Sequence, residues 1–176
     1  MFDKMYTFKG IHADKVIKLT AKFDDKNQLF KRNLDVYIMA PIVGFLYQRK
    51  AESSNSDASQ EATKIFPEQL INARDDLAFN YRLIMLLDKR NTVDIETRVD
   101  KAFRNYNSDR AGDDEKLYDQ YVLGGVEVIY EKLIESARGP EDYLSNLYDF
   151  MEEMDERYNQ TVDADSIAEL CKLAKQ

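Results

Sequence analysis

The stretch Leu34-Asp-Val-Tyr-Ile-Met-Ala-Pro-Ile-Val-Gly-Phe-Leu-Tyr47 limits the choice of fold more than any other part of the chain. Its apolar side chains, at 36–40, 42, 43 and 45–47, occupy every side of a helical wheel, so the helix they form must be enclosed by other elements. At about 14 residues it is too short to cross a bilayer and has the length of a core helix. Pro41 removes a backbone donor inside the run and Gly44 lacks a Cβ, which predicts a kink or break near residue 40 and close packing around it.

A chain of 176 residues can enclose one such helix in a single core. Six Gly and three Pro are too few for a strand-and-turn architecture, so the expected fold is all-α: one bundle over residues 1–176. Hydrophobic periodicity divides it into about six or seven helices. An irregular lead-in, with a short extended piece around Met5 to Phe8, precedes an amphipathic helix from Ile11 to about Phe23. Its core face is Ala13, Val16, Ile17, Thr20 and Phe23. Asn33 is the expected N-cap of the central helix. The Ser-rich stretch 51–62 has no periodicity and reads as a flexible loop.

Pro67 suits the first turn of the next helix, with Leu77, Tyr81, Ile84 and Leu87 as its stripe. Thr92 or Asp94 caps another, in which Ile95, Val99, Ala102, Phe103 and Tyr106 form the cleanest one-sided pattern in the chain. Residues 113–136 continue as helix around Gly124-Gly125, a pair that costs about 1 kcal/mol per glycine against Ala. The pair implies either a second backbone at close range or a break that aims a loop. After Pro140 comes a helix with Leu144, Leu147, Met151, Met154 and Tyr158 expected inside. A last amphipathic piece from about Asp165 presents Ile167, Leu170, Cys171 and Ala174.

Charge divides the chain. Residues 1–50 carry +5 and residues 101–176 carry −9, within a net charge of −8. The basic end offers Lys15, Lys18, Lys22, Lys31, Arg32, Arg49 and Lys50, read either as a solvated surface or as a contact for DNA phosphates. The acidic end offers Asp149, Glu152, Glu153 and Glu156, which with Gly124 and Gly125 form the expected partner-docking region.

No secretory leader pattern or cysteine pair is present, so a cytoplasmic protein without disulfides is expected. His12 is the only histidine and reads as a capping or surface residue; Cys171 reads as a small buried hydrophobe. Phosphate-binding loops, dinucleotide fingerprints, nucleophile elbows and zinc-protease helices are all missing from the sequence. Neither catalytic residues, a cofactor site nor a metal site is therefore assigned, although the 149–156 carboxylates keep a metal-dependent enzyme as a third reading.

Two blocks carry a resemblance. Leu29-Phe-Lys-Arg-Asn-Leu-Asp-Val-Tyr-Ile-Met-Ala-Pro-Ile-Val-Gly-Phe45, followed by Tyr121-Val-Leu-Gly124-Gly125, resembles small accessory proteins of bacterial DNA-phosphorothioation (dnd-type) phage-defence clusters or a related defence family. The match spans residues 29–130 and departs at Pro41 and in the acidic helical tail after Pro140. The resemblance implies a non-enzymatic adaptor working beside larger defence subunits, with no membrane partner, and supplies no catalytic residues.

Overall fold

The computed structural model describes residues 1–53 and 63–158. Seven α-helices occur among them, with one two-stranded sheet. In chain order the elements are β1 (Tyr6–Thr7), α1 (Gly10–Thr20), α2 (Asn33–Leu46), β2 (Lys64–Ile65), α3 (Pro67–Asn72) and α4 (Arg74–Leu87). Then come α5 (Ile95–Val99), α6 (Gly112–Tyr130) and α7 (Asp142–Tyr158). Wide π-helical turns extend α5 over Asp100–Arg104 and α6 over Glu131–Glu135. The strands pair antiparallel, Tyr6 opposite Ile65 and Thr7 opposite Lys64. Residues 54–62 of the Ser-rich stretch and the helix expected from Asp165 lie outside the described residues.

Helix α2 is the hub, as its all-round apolarity requires. Leu34, Val36, Tyr37, Ala40, Pro41, Val43 and Gly44 are buried, against α6 above all and against α4, α1 and β2. The enclosure has one opening, at Met39, which is 37% exposed. The helix runs unbroken through Pro41, so the expected break does not occur. Beside the gap left by the missing N–H, the Asn80 side-chain amide of α4 donates to the Ile38 carbonyl at 2.8 Å. Arg32 takes the cap position expected of Asn33, and the Asp35 carboxylate reaches back to accept the Arg32 N–H at 2.9 Å.

Gly44, Gly124 and Gly125 set the distance between α2 and α6. A Cβ at Gly44 would lie 2.1 Å from the Tyr121 carbonyl oxygen, one at Gly125 1.8 Å from that of Ala40, and one at Gly124 2.1 Å from that of Arg49. The glycine pair thus pays its propensity cost for backbone-to-backbone contact. Both glycines are buried in this seam, which corrects their assignment to a docking surface.

Helix α1 ends at Thr20, short of the expected Phe23. Asp24 ends it early: its carboxylate accepts from the backbone N–H groups of Lys26 and Asn27, closing a turn in which Phe23 N–H also meets the Asn27 carbonyl. The buried face of α1 is His12, Ala13, Val16 and Leu19, rotated from the expected one.

Two further faces differ from expectation. In α5 the inward positions belong to Arg98 and Ala102, while Ile95, Val99 and Phe103 are exposed. The Arg98 guanidinium donates to the Leu86 carbonyl at 2.7 Å, and Lys101 pairs with Asp114 of α6 at 2.7 Å. These polar ties hold the outer stripe toward solvent, and the wide turn at 100–104 breaks the 3.6-residue phase that would have kept all five residues together. In α7, Phe150 is buried and Leu147 and Met154 partly so, whereas Leu144 and Met151 face outward and Tyr158, 41% exposed, donates its hydroxyl to the Leu46 carbonyl at 3.0 Å. Phe150 packs beside Tyr47, and Glu153 receives both the Tyr47 hydroxyl (2.9 Å) and the Lys132 ammonium (2.6 Å), which sets the helix's rotation. Leu87 at the end of α4 is likewise exposed.

Candidate functional site

A groove of about 630 Å³ lies between α4 and the wide turn after α5. Its floor and walls include Phe79, Leu83, Leu86, Phe103 and Tyr106. Phe79 is 63% exposed and Phe103 53%, and the stripe continues along α5 through Val99 and Ile95. Large aromatic and branched side chains left open together mark an interaction surface in a folded domain. The charged groups in the wall are Arg74, Asp75 and Arg82. Arg82 lies over the rings of Phe103 and Tyr106, 5.5 and 5.2 Å from their centroids, so the groove presents a cation on an aromatic bed.

A second apolar surface runs along the outside of α7. Leu144, Tyr148 and Met151 recur at i, i+4 and i+7 and are 58%, 66% and 62% exposed. Asp149, Glu152 and Glu156 are exposed on the same helix. Glu153 is not part of that acidic surface, since its carboxylate is engaged by Lys132, Tyr47 and Arg157. Lys132 holds that carboxyl below the usual carboxylate range.

The seven basic residues do not form one surface. Arg32 is bound to Asp35 at 2.6 Å, and Arg49 bridges Glu127 and Glu131 at 3.3 and 3.2 Å. Lys50 donates to Asn91 at 3.0 Å, Lys31 stands exposed, and Lys22 lies beyond the end of α1. Lys15 and Lys18 stay together, both over the Tyr130 ring, with Lys18 donating to its hydroxyl at 3.2 Å. Lys18 and Lys22 border a pocket of about 430 Å³ that also holds Phe23, Tyr130 and Tyr143.

His12 is buried, which corrects its reading as a capping or surface residue. Its ring is 1% exposed, and Nε2 meets Glu127 Oε1 at 3.2 Å. Burial pushes its pKa down, more than Glu127 pulls it up, so the ring is neutral at pH 7. Asp119, just over two turns before Glu127 on α6, accepts from the Tyr6 hydroxyl at 2.6 Å, and burial raises its carboxyl pKa. The two carboxylates tie the N-terminal segment to α6, Glu127 through His12 and Asp119 through Tyr6, and both remain only partly buried. No group of three or more His, Cys, Asp or Glu side chains that could hold a metal ion occurs among the described residues. No helix among them is long and apolar enough to cross a membrane.

The chain has no match to a protein-family model, to a curated protein or to a solved structure.

Proposed function

We propose that this protein is a non-enzymatic accessory protein of the cytoplasm that docks onto larger subunits of a bacterial phage-defence system. The observation that carries the docking role is the open aromatic groove at Phe79 and Phe103. Binding energy at protein interfaces concentrates in buried aromatic and arginine anchors, and Phe79, Phe103 and Arg82 place those side chains together. The defence setting rests on the resemblance of residues 29–130 to dnd-type accessory proteins. A pull-down with the tagged full chain from its native operon is expected to recover a larger subunit at near-stoichiometric level. Phe103→Glu and Phe79→Glu are expected to lose it while keeping the helical spectrum. Recovery of no partner, or undiminished recovery by both variants, overturns the reading.

The pocket at Lys18 and Lys22 favours a second reading, a DNA-contacting subunit. A cationic rim beside the half-buried rings of Tyr130, Tyr143 and Phe23 supports contact with phosphates and with the faces of unpaired bases. Binding of a single-stranded oligonucleotide should then weaken steeply with salt and fall in a Lys15→Ala/Lys18→Ala/Lys22→Ala variant. Absence of binding at low salt counts against it.

A further inference from the structure

The groove and the outer face of α7 are complementary in relief and in charge. The groove is concave and apolar, and Arg74 and Arg82 outnumber Asp75 among its charged groups. The α7 face is a ridge of Leu144, Tyr148 and Met151, and the exposed charged groups beside it are carboxylates, Glu152 and Glu156 among them. Arg157, the one cation of that helix, is drawn away to Glu153 at 3.5 Å. The ridge is also short enough for the groove: Leu144 to Met151 covers about 10 Å of helix axis, and the α4 wall from Arg74 to Leu86 about 18 Å. Within one chain the ridge does not fill the groove, since both stand exposed while α7 lies against Tyr47 and the 131–135 turn.

We propose that α7 of one copy seats in the α4–α5 groove of a second copy. Tyr148 and Met151 lie on Phe79 and Phe103, and Glu152 meets Arg82. The two patches differ, so the contact is head-to-tail: each copy retains a free groove or a free ridge, and copies add in series or close into a ring. The proposal rests on the docking role proposed above and names a second copy of this chain as an occupant of the groove.

Analytical ultracentrifugation of the full chain tests it with two exposed substitutions, Phe103→Glu in the groove and Met151→Lys on the ridge. The wild-type protein is expected to gain mass with concentration, and each variant alone to stay monomeric. An equimolar mixture of the two variants is expected to form a dimer and stop there, because only the intact ridge of one and the intact groove of the other remain. In a second pair, Arg82→Glu and Glu152→Arg, each variant alone should stay monomeric, while their mixture restores opposite charges at both contacts and should gain mass beyond a dimer, separating a lost contact from a lost fold. A wild-type monomer up to about 0.5 mM overturns the proposal. So does a variant that still self-associates, which assigns the contact to a symmetric pairing through the unaltered face, and so does a mixture that stays monomeric. In a monomeric wild type, a larger subunit still recovered in the pull-down leaves docking standing without self-association.

Discussion

Replacing Gly125 by Ala probes the α2–α6 seam directly. The added Cβ would sit 1.8 Å from the Ala40 carbonyl oxygen and 2.5 Å from its carbon. Ordinary contact needs about 3.5 Å, so the two helices must separate locally by about 1.5 Å. The obstructing atoms are backbone, and no rotamer change relieves them. Overpacking of this kind costs about 1–3 kcal/mol, and a gap of that width also forfeits dispersion along the neighbouring contacts. Against this, Ala is favoured over Gly in a helix by about 1 kcal/mol; with overpacking at the upper end of its range, because the obstructing atoms are backbone, a net loss of about 2 kcal/mol remains. Gly112→Ala is the control: nothing lies within 4 Å of its Cβ position, and at the first residue of α6 a smaller propensity gain acts unopposed. In urea denaturation followed by far-UV circular dichroism, the midpoint of Gly125→Ala should fall by about 1 M and that of Gly112→Ala should stay equal or rise. A Gly125→Ala midpoint within about 0.3 M of wild type would refute the seam as the origin of the glycine pair.

His12 has its pKa lowered in the fold, so the folded state resists its protonation; its contribution is complete above the unfolded value of 6.5 and declines as pH falls below it. Urea midpoints at pH 8 and pH 5 should diverge more for the wild type than for His12→Gln, and equal differences would show that the ring does not contribute. Tyr121→Phe removes a 2.8 Å hydrogen bond to the buried Asp88 carboxylate and should cost about 1.5–3 kcal/mol by the same denaturation assay. Asp94→Ala deletes the acceptor of the Thr97 N–H at 2.7 Å, which should cost about 1 kcal/mol and appear as faster amide exchange confined to α5. Ile95→Ser, at a site 55% exposed, should shift stability by no more than about 0.5 kcal/mol, whereas a core position on a helix would lose several times that.

What could be read from residue types was the existence of elements and some of their caps, though not every boundary, since α1 ends at Thr20 and Arg32 caps α2. The run 34–47 announced a buried helix, Pro67 marked a first turn, Asp94 marked a cap, and the glycines at 124 and 125 announced a close neighbour. What could not be read was rotation. Periodicity counts apolar side chains without showing which of two apolar sides meets the core. In α7 the choice fell to Phe150 and the Glu153–Lys132 pair, which involve residues far apart in sequence. In α5 it fell to Arg98 and Lys101, whose long side chains reach partners on α4 and α6. The groove was hidden for the same reason: its residues had the spacing of a core stripe, and only tertiary placement shows them open. His12 was misplaced because nothing local pairs it with Glu127, which lies 115 residues away.

The wide turn at Asp100–Arg104 holds one residue more than an α-helical turn would need. Removing a single residue there would roll everything downstream by about 100°. Phe103 and Tyr106 would exchange sunlit and shaded sides without one change of side chain. The openness of this surface is therefore written as a count of residues, so a one-codon deletion could close it where many substitutions would only erode it.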